Sequence, residues 1–174
     1  MRLANCVLLC SSLLFSHAAA AAELPQRWVS SGGSLSEWVV RLGGEGRLVG
    51  VDTTSLHPQS LRQLPSVGYQ RALSAEGVLS LRPDILIGSE EMGPPPVVAQ
   101  IAAAGVRVES LSAKPDLATL ERNVLRLGEL LGVPAQAREQ MAAYRQQLQD
   151  QAQWVAEARR TQAPPRVVLL LGHA

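Results

Sequence analysis

Short apolar segments that can form strands alternate with segments that can form helices along most of this 174-residue chain. Each predicted strand is brief and largely apolar, which is typical of strands buried on both faces of a sheet. The four strands are predicted at residues 27–31, 47–52, 84–89 and 106–111. Repeated strand–helix units of this kind predict an α/β fold with a parallel, Rossmann-like sheet.

Helix signals fill the intervals between these strands. Ser34 is expected to cap a helix over residues 35–43, with Glu37 three residues after it as in a capping box. Ser74 is expected to cap a short helix that ends at residue 81. Two further helices are predicted, one at residues 94–104 with Gly105 just past its end and one at residues 117–131.

The glycine pair after the first strand does not match a nucleotide-binding loop. The stretch GGSLSEW lacks the G-x-G-x-x-G spacing, and no Walker lysine follows any glycine loop. The charge also argues against a nucleic-acid partner, because 16 Lys and Arg residues are balanced by 15 Asp and Glu residues. With so little net charge, a partner must be recognised through local groups and not through a bulk field.

The first 22 residues have the features of a cleaved signal peptide. Arg2 supplies a positive start, and the last three of the five alanines before Glu23 satisfy the small-x-small cleavage rule. The apolar stretch between them, CVLLCSSLLF, is too short to act as a stop-transfer helix. An uncleaved anchor or a lipid on Cys10 is the less favoured alternative, because Leu9 precedes this cysteine. Cys6 also lies in the segment, so the exported chain is predicted to contain no thiol for a disulfide, a metal site or a nucleophile.

The remaining residues divide into three predicted parts. Residues 23–133 are expected to form one α/β lobe, and residues 134–162 a helix without internal glycine or proline. At about 1.5 Å per residue, such a helix is roughly 40 Å long, which exceeds the width of a small lobe and indicates a connector. Residues 163–174 are expected to begin a second lobe with an apolar strand, so the chain is interpreted as truncated after its first lobe.

Aromatic side chains are few, with three Trp, two Tyr and one Phe. Tyr144 is predicted to pack within the protein and not to bind a ligand, because Met141 and Leu148 flank it at helical spacing. The tryptophans, Trp28, Trp38 and Trp154, are expected to pack as well. Tyr69, which precedes a polar pair in a predicted loop, is the tyrosine that needs another explanation.

Three stretches of the chain resemble one known family in order and spacing: GGSLSEWVVRLG, RLVGVDTTSLHP and LPSVGYQRALSAEGVLSLRPDILIG. The family is that of the haem-binding substrate-binding proteins of bacterial ABC haem importers. LRPDILI is shared with relatives that carry cobalamin and ferric siderophores, whereas GYQRALSAEG is specific to the haem carriers. The resemblance implies two Rossmann-like lobes bridged by one long helix, with the ligand held between the lobes.

The resemblance also implies a function and a location. A member of this family is not an enzyme; it captures ferric haem in the periplasm of a Gram-negative bacterium and delivers it to an ABC transporter permease. Such a protein is expected to be a monomer and to have no nucleic-acid partner.

Within the haem-specific motif, Tyr69 is the expected axial ligand of the haem iron. A free phenol has a pKa of about 10 and is a poor metal ligand at neutral pH, but ferric iron binds the phenolate directly. Arg71, two residues along a predicted extended loop, is expected to lie on the same side as Tyr69 and to donate to its oxygen, favouring the anion. Tyrosinate is an established axial ligand of ferric haem. The alternative is that Tyr69 only covers the surface of the lobe.

The resemblance suggests roles for two further residues. Glu76 matches an acidic residue that docks onto arginines of the permease; its simpler role is to complement a helix dipole. His173 follows the last apolar segment, and ligands of open α/β sheets gather at the carboxyl ends of strands. It is therefore a candidate for a second contact to haem, the alternative being an unstructured residue close to the end of the chain.

Two other functions are weighed against haem transport. A cobalamin or ferric-siderophore carrier would keep the fold, but a corrinoid needs no phenolate and a siderophore leaves its iron no free position. A secreted hydrolase would need a nucleophile with a base, or a metal cluster. The sequence contains neither H-E-x-x-H nor G-x-S-x-G.

Overall fold

The computed structural model of the protein describes residues 24–169. The predicted signal segment, residues 1–22, and His173 lie outside the described residues. The strands are β1 (Trp28–Ser31), β2 (Leu48–Val51), β3 (Gly68–Tyr69), β4 (Ala72–Leu73), β5 (Ile85–Ser89) and β6 (Arg107–Leu111).

Five helices accompany the strands over the part of the chain that the structure describes. They are α1 (Gly33–Arg41), α2 (Ala75–Ser80), α3 (Pro95–Ala103), α4 (Leu117–Leu131) and α5 (Pro134–Thr161). Within residues 24–169, none of them combines the length and the apolar character that a membrane crossing requires.

The four longer strands form one parallel sheet in the order β2, β1, β5, β6. Strand β1 therefore has its successor on one side and the much later β5 on the other. The winding of the chain reverses between β1 and β5, which makes this a topological switch point. The predicted α/β fold with a parallel sheet is confirmed.

Both faces of this sheet are covered by helices. Trp28 and Ile85 point into a cluster with side chains of α1, α4 and α5. Their neighbours Val29 and Leu86 point into a second cluster with side chains of α2 and α3. Successive side chains of a strand face opposite sides of the sheet, so burial on both faces explains the largely apolar strand sequences.

The helix signals were correct at two sites and wrong at a third. Helix α4 has its predicted bounds, and the Ser74 hydroxyl caps α2 by accepting a hydrogen bond from its backbone. Helix α1, however, begins at Gly33, and no side chain caps it. Gly32 at the cap position has a φ of 113°, a backbone conformation that favours glycine. The Gly33 N–H donates to the Thr54 hydroxyl oxygen at 3.0 Å. The capping box predicted at Ser34 is therefore wrong.

The long helix α5 packs on the lobe through its first half only. Ala137 and Met141 are buried, and Tyr144 meets Trp38 edge-on with ring centroids 5.7 Å apart. The packing role of Tyr144 is thus confirmed. Trp154 in the second half is 73% exposed, and the prediction that it packs is wrong because no described element covers that part of α5.

The residues that follow α5 form no strand within the described part of the chain. Residues 163–169 have no regular secondary structure, and Val167 is 81% exposed. A strand is stable only when its backbone groups find hydrogen-bond partners, and no strand within residues 24–169 pairs with this segment. The remainder of the predicted strand lies in residues 170–174, which are outside the described residues.

Candidate functional site

An open cleft of about 640 Å³ lies at the carboxyl ends of the parallel strands. It is lined by Ser31 at the end of β1, Ser89 at the end of β5 and Ser112 just after β6. Leu120 of α4 and Tyr144 of α5 contribute to its opposite side. Open α/β sheets bind ligands outside the carboxyl ends of their strands at the switch point, and the volume is in the usual range for ligand pockets. This cleft is the candidate binding site.

One side of the cleft rim is organised by the buried side chain of Asp52, which is 2% exposed. Its carboxylate accepts hydrogen bonds from the Gly32 N–H at 2.9 Å and from the Ser55 hydroxyl at 2.7 Å. It also accepts from the N–H and the hydroxyl of Thr54, at 3.1 and 2.6 Å. Four donors satisfy the buried carboxylate, so Asp52 fixes residues 31–34, which we call the β1–α1 turn, against the loop after β2.

The neighbouring part of the rim is a hairpin formed by β3 and β4, which we call the Tyr69 hairpin (residues 68–73). Tyr69 pairs with Ala72, so that Gln70 and Arg71 are the two turn residues. Gly68 has a φ of 98°, and a Cβ there would lie 2.8 Å from the Ala72 carbonyl oxygen, so glycine is required before Tyr69. The Tyr69 side chain is 44% exposed, and Gln70 lines the cleft. The hairpin therefore exposes the phenol of Tyr69 next to a residue of the cleft, although Tyr69 itself is not among the residues that line it.

Main-chain hydrogen bonds hold the Tyr69 hairpin in place. The Thr53 N–H donates to the Gly68 carbonyl at 2.9 Å. The Gly93 N–H donates to the Gln70 carbonyl at 2.9 Å, and the Leu73 N–H donates to the Gly93 carbonyl at 2.8 Å. Because backbone atoms make these contacts, the side chains of the hairpin turn are not needed to keep its shape.

Arg71 contacts a different partner from the one predicted. Its guanidinium donates to Glu91 Oε2 at 2.7 Å, and within the described residues it forms no hydrogen bond to Tyr69. The hydrogen bond to Glu91 raises the pKa of Arg71, and Coulombic attraction to Glu91 and then to Tyr69 adds smaller contributions. The predicted hydrogen bond is not formed in this structure, because Arg71 is a turn residue and pairs with Glu91. That Arg71 assists an iron-bound Tyr69 stays a prediction.

Of the other two candidates, only Glu76 can be placed. It is exposed in the first turn of α2 and forms no ion pair among the residues that the structure describes. His173 lies outside the described residues, so its contact with a ligand stays a prediction.

Sequence reasoning missed three features of the cleft. The network around Asp52 had a local signal, since an aspartate followed by Thr-Thr-Ser commonly binds its own backbone two or three residues on. The pairing of Arg71 with Glu91 spans 20 residues and has no local signal. The third feature is the buried hydroxyl of Ser31, which has no hydrogen-bond partner among the described residues. Only the folded structure shows this.

Comparison with solved structures finds haem-binding proteins that are similar to this chain. One is a periplasmic heme binding protein from Pseudomonas aeruginosa, with 69% sequence identity and a TM-score of 0.80 over 82% of this chain and 51% of that one. Another is the periplasmic heme binding protein HutB of Vibrio cholerae, with 36% identity and a TM-score of 0.68 over 72% of this chain and 48% of that one.

The sequence is also similar to curated proteins and to a family model. A vitamin B12-binding protein of Pectobacterium atrosepticum is 26% identical over 129 residues, which are 74% of this chain and 46% of that protein. This chain thus spans about half the length of the relatives that it matches. A model described as periplasmic binding protein matches residues 29–173. The chain belongs to the periplasmic binding protein family.

Proposed function

We propose that this protein binds ferric haem in the periplasm and delivers it to an ABC transporter permease for import. The observation that carries the proposal is the Tyr69 hairpin, which holds an exposed phenol beside an arginine at the edge of a cleft. The cleft lies at the switch point of the sheet, where ligands of such sheets bind. The protein acts as a carrier and not as an enzyme.

Haem fits a site that offers one protein ligand. Among the described residues, no group of three or more His, Cys, Asp or Glu side chains could hold a bare metal ion. In haem the porphyrin nitrogens already occupy the plane around the iron, so a single tyrosinate completes an axial position. Arg71 is close enough to Tyr69 for a Coulombic interaction, and a nearby positive charge favours the phenolate.

The cleft also has an apolar surface suited to a flat macrocycle. Leu35 of α1, Leu117 and Leu120 of α4, and Leu148 of α5 line it together with Tyr144. Ligand pockets combine such apolar walls with a few polar groups that fix orientation. Here the serines at the strand ends are polar groups of the lining, and Tyr69 adjoins the lining residue Gln70.

Cobalamin is the second candidate, since the chain is similar to a vitamin B12-binding protein. The identity to that protein is 26%, against 69% and 36% to the two heme binding proteins. A corrinoid carries its own cobalt ligands and needs no phenolate, so it leaves Tyr69 without a role. Haem is therefore the better supported ligand.

Titration with hemin tests the proposal directly. Hemin is expected to give a saturable Soret band and a high-spin charge-transfer band near the red end of the visible spectrum. Tyr69→Phe keeps the ring and removes the oxygen, so it should abolish the charge-transfer band. Tyr144→Phe is the control for loss of a phenol that is not the iron ligand: Tyr144 also lines the cleft but packs on Trp38, so this variant should keep the charge-transfer band.

Two results would contradict the proposal. One is the absence of saturable hemin binding together with saturable binding of cyanocobalamin, which would favour the second candidate. The other is an unaltered haem spectrum in Tyr69→Phe, which would rule out tyrosinate ligation.

Delivery to a permease is proposed to use Glu76, whose exposed carboxylate projects from the start of α2. Glu76→Arg should leave hemin binding intact and abolish haem uptake by permease-containing vesicles. Glu139→Arg, at an exposed position of α5, is the control and should leave uptake unchanged. Equal uptake with Glu76→Arg would remove Glu76 from the interface.

Export is proposed to remove residues 1–22, which would make Glu23 the first residue of the periplasmic protein. Sequencing of the N-terminus of the exported protein tests this, and a chain that starts at Cys10 would indicate a lipoprotein instead. The division into a lobe at 23–133, a connector at 134–162 and a further segment at 163–174 stays a prediction, as does the monomeric state.

A further inference from the structure

One basic residue of the cleft has no partner in the described part of the chain. Lys114 lines the cleft from the loop between β6 and α4, and it is exposed. Among the described residues that line the cleft it is the only lysine or arginine. It forms no ion pair within residues 24–169. An ammonium group in this position is available to an anion that enters the cleft, and hydrogen bonds between charged groups are the strong ones.

The carboxylates that line the cleft do not compete for Lys114. Glu91 pairs with Arg71 at 2.7 Å. The Asp116 carboxylate accepts from the N–H and the hydroxyl of Thr119, both at 2.8 Å. These two hydrogen bonds lower the pKa of Asp116 most, and the charge of Lys114 contributes least. With both carboxylates engaged, this part of the cleft keeps a positive charge.

The backbone that carries this charge is held in place. We call residues 112–116 the Lys114 loop. The Asn123 side chain of α4 donates to the Ser112 carbonyl at 2.9 Å, and the Lys114 N–H donates to the Ser112 hydroxyl at 3.4 Å. The Asp116 N–H donates to the Lys114 carbonyl at 3.0 Å. The position of Lys114 in the cleft wall is therefore defined, while the flexible four-carbon stem of a lysine lets its ammonium group adjust to a ligand.

The Lys114 loop and the Tyr69 hairpin are separated by about the width of a flat macrocycle. Gln70 of the hairpin lies close to Gly32 after β1, since a Cβ on this glycine would be 3.3 Å from the Gln70 side-chain oxygen. The Lys114 loop follows β6, and β5 lies between β1 and β6 in the sheet. Neighbouring strands are about 4.8 Å apart, so the ends of β1 and β6 are about 10 Å apart. A porphyrin whose iron is bound at the hairpin can therefore extend its edge to the Lys114 loop.

We propose that the ammonium group of Lys114 binds one carboxylate of the ligand, a propionate of the porphyrin. This inference rests on the proposed function, because haem is the ligand that would bring the carboxylate. The amide side chains of a corrin are neutral, so Lys114 would also favour haem over cobalamin.

The test compares hemin with hemin dimethyl ester, whose esterified propionates carry no charge. Lys114→Met removes the positive charge and keeps an unbranched side chain. Lys114→Arg keeps the charge and is the matched control. The parent and both variants are titrated with both porphyrins at a low and a high salt concentration by following the Soret band.

Lys114→Met is expected to weaken hemin binding about fivefold at low salt, which is the upper end for an exposed ion pair. Its binding of the dimethyl ester should change less than twofold, and Lys114→Arg should bind both porphyrins within twofold of the parent. Added salt should narrow the difference between the parent and Lys114→Met for hemin, because salt screens exposed charges. The charge-transfer band that depends on Tyr69 should remain in every variant.

Three results separate the two proposals. If the parent binds hemin with a Tyr69-dependent spectrum but Lys114→Met weakens both porphyrins equally, or neither, the carboxylate site is wrong and haem binding stands. A loss in Lys114→Arg as large as that in Lys114→Met would overturn the site in the same way. If the parent binds no hemin, both proposals fail.

Thermal unfolding without ligand gives a second readout. The Tm of Lys114→Met should equal that of the parent, because Lys114 has no ion-pair partner in the described residues. A clearly lower Tm would mean that the Lys114 side chain supports the fold, and would overturn its assignment to a ligand.

Discussion

The β1–α1 turn and the Tyr69 hairpin are neighbouring parts of one cleft rim, yet they are held in different ways. The turn is fixed by side chains, through a buried carboxylate at Asp52 that gathers four donors. The hairpin is fixed by main-chain bonds. Its side chains Tyr69 and Arg71 are exposed, and Arg71 pairs with Glu91 of the loop after β5. We therefore expect substitutions in the first region to change folding stability and those in the second to change ligand affinity.

Asp52→Ala is expected to give the largest effect. It would leave the buried Ser55 hydroxyl and the half-buried Gly32 N–H without their acceptor, and each such unsatisfied group costs about 1–3 kcal/mol. The donors of Thr54 are exposed and can turn to water instead. The free energy of unfolding should fall by about 3–5 kcal/mol, as measured by urea denaturation. Asp52→Asn keeps one acceptor oxygen and should lose less. A loss below about 1 kcal/mol for Asp52→Ala would mean that the turn is held by other contacts.

Tyr69→Phe is expected to separate affinity from stability. Hemin affinity should fall at least about 100-fold, because the substitution removes the iron ligand itself. Loss of a group that only supports a metal ligand already lowers affinity about 10–100-fold. The free energy of unfolding should not change, because the half-exposed hydroxyl takes no part in holding the hairpin. A parallel loss of stability would show that the hairpin depends on its side chains after all.

Arg71→Ala should act in the same direction but less, with hemin affinity reduced about tenfold. It removes only the positive charge near a phenolate that the iron still stabilises. Titration of Arg71→Ala and Tyr69→Phe with hemin at one salt concentration shows which substitution lowers the affinity more. If Arg71→Ala is more damaging than Tyr69→Phe, the arginine instead binds a propionate.

Glu91→Gln should increase hemin affinity by about two- to threefold, because exposed ion pairs are weak and this one partly neutralises Arg71. Without the carboxylate, the guanidinium is free to turn to the phenolate. Glu90→Gln, one residue earlier in the same loop, is the control for loss of a negative charge. Weaker binding by Glu91→Gln would indicate that Glu91 positions Arg71 for the ligand.

Glu109 of β6 does not line the cleft and serves as a reference site. Its substitution should change hemin affinity least among these variants. Arg126 donates to Glu109 at 2.6 Å, and this hydrogen bond, opposed by burial, lowers the pKa of Glu109. The resulting stabilisation is present above the pKa of an unfolded glutamate, about 4.3, and is lost as the pH falls through the lower folded-state pKa.

Glu109→Gln should therefore cost less than about 1 kcal/mol at pH 7 and nothing at about pH 2. Urea denaturation at both pH values measures the difference, and hemin affinity should stay unchanged at pH 7. A change in affinity would show that the rim is coupled to this edge of the sheet.

The parts of the fold that were predictable are those with local causes. Helix α4 has its predicted bounds because leucines at helical spacing mark one buried face. The cap at Ser74 was found because its partner is three residues away. The two-residue strands of the Tyr69 hairpin are too short to show any period, and so the sequence predicted a loop there.

The candidate site was predictable only in part, for similar reasons. Tyr69 stood out because an exposed-looking tyrosine belongs to a motif that is recognisable along the chain. The contact of Arg71 with Glu91 depends on how the loop after β5 returns to the hairpin, which is tertiary structure. Trp154 is exposed because no described element packs on the second half of α5. This too is a matter of tertiary structure, and no local sequence pattern encodes it.

The main-chain anchoring of the Tyr69 hairpin has an evolutionary consequence. A tip whose shape does not depend on its own side chains can accumulate substitutions at Tyr69, Gln70 and Arg71 without a folding penalty, provided that Gly68 and Gly93 remain. Selection for a different metal or macrocycle could then act on these three positions alone. The same anchoring makes the tip a suitable place to engineer new ligand specificity by replacing three adjacent codons.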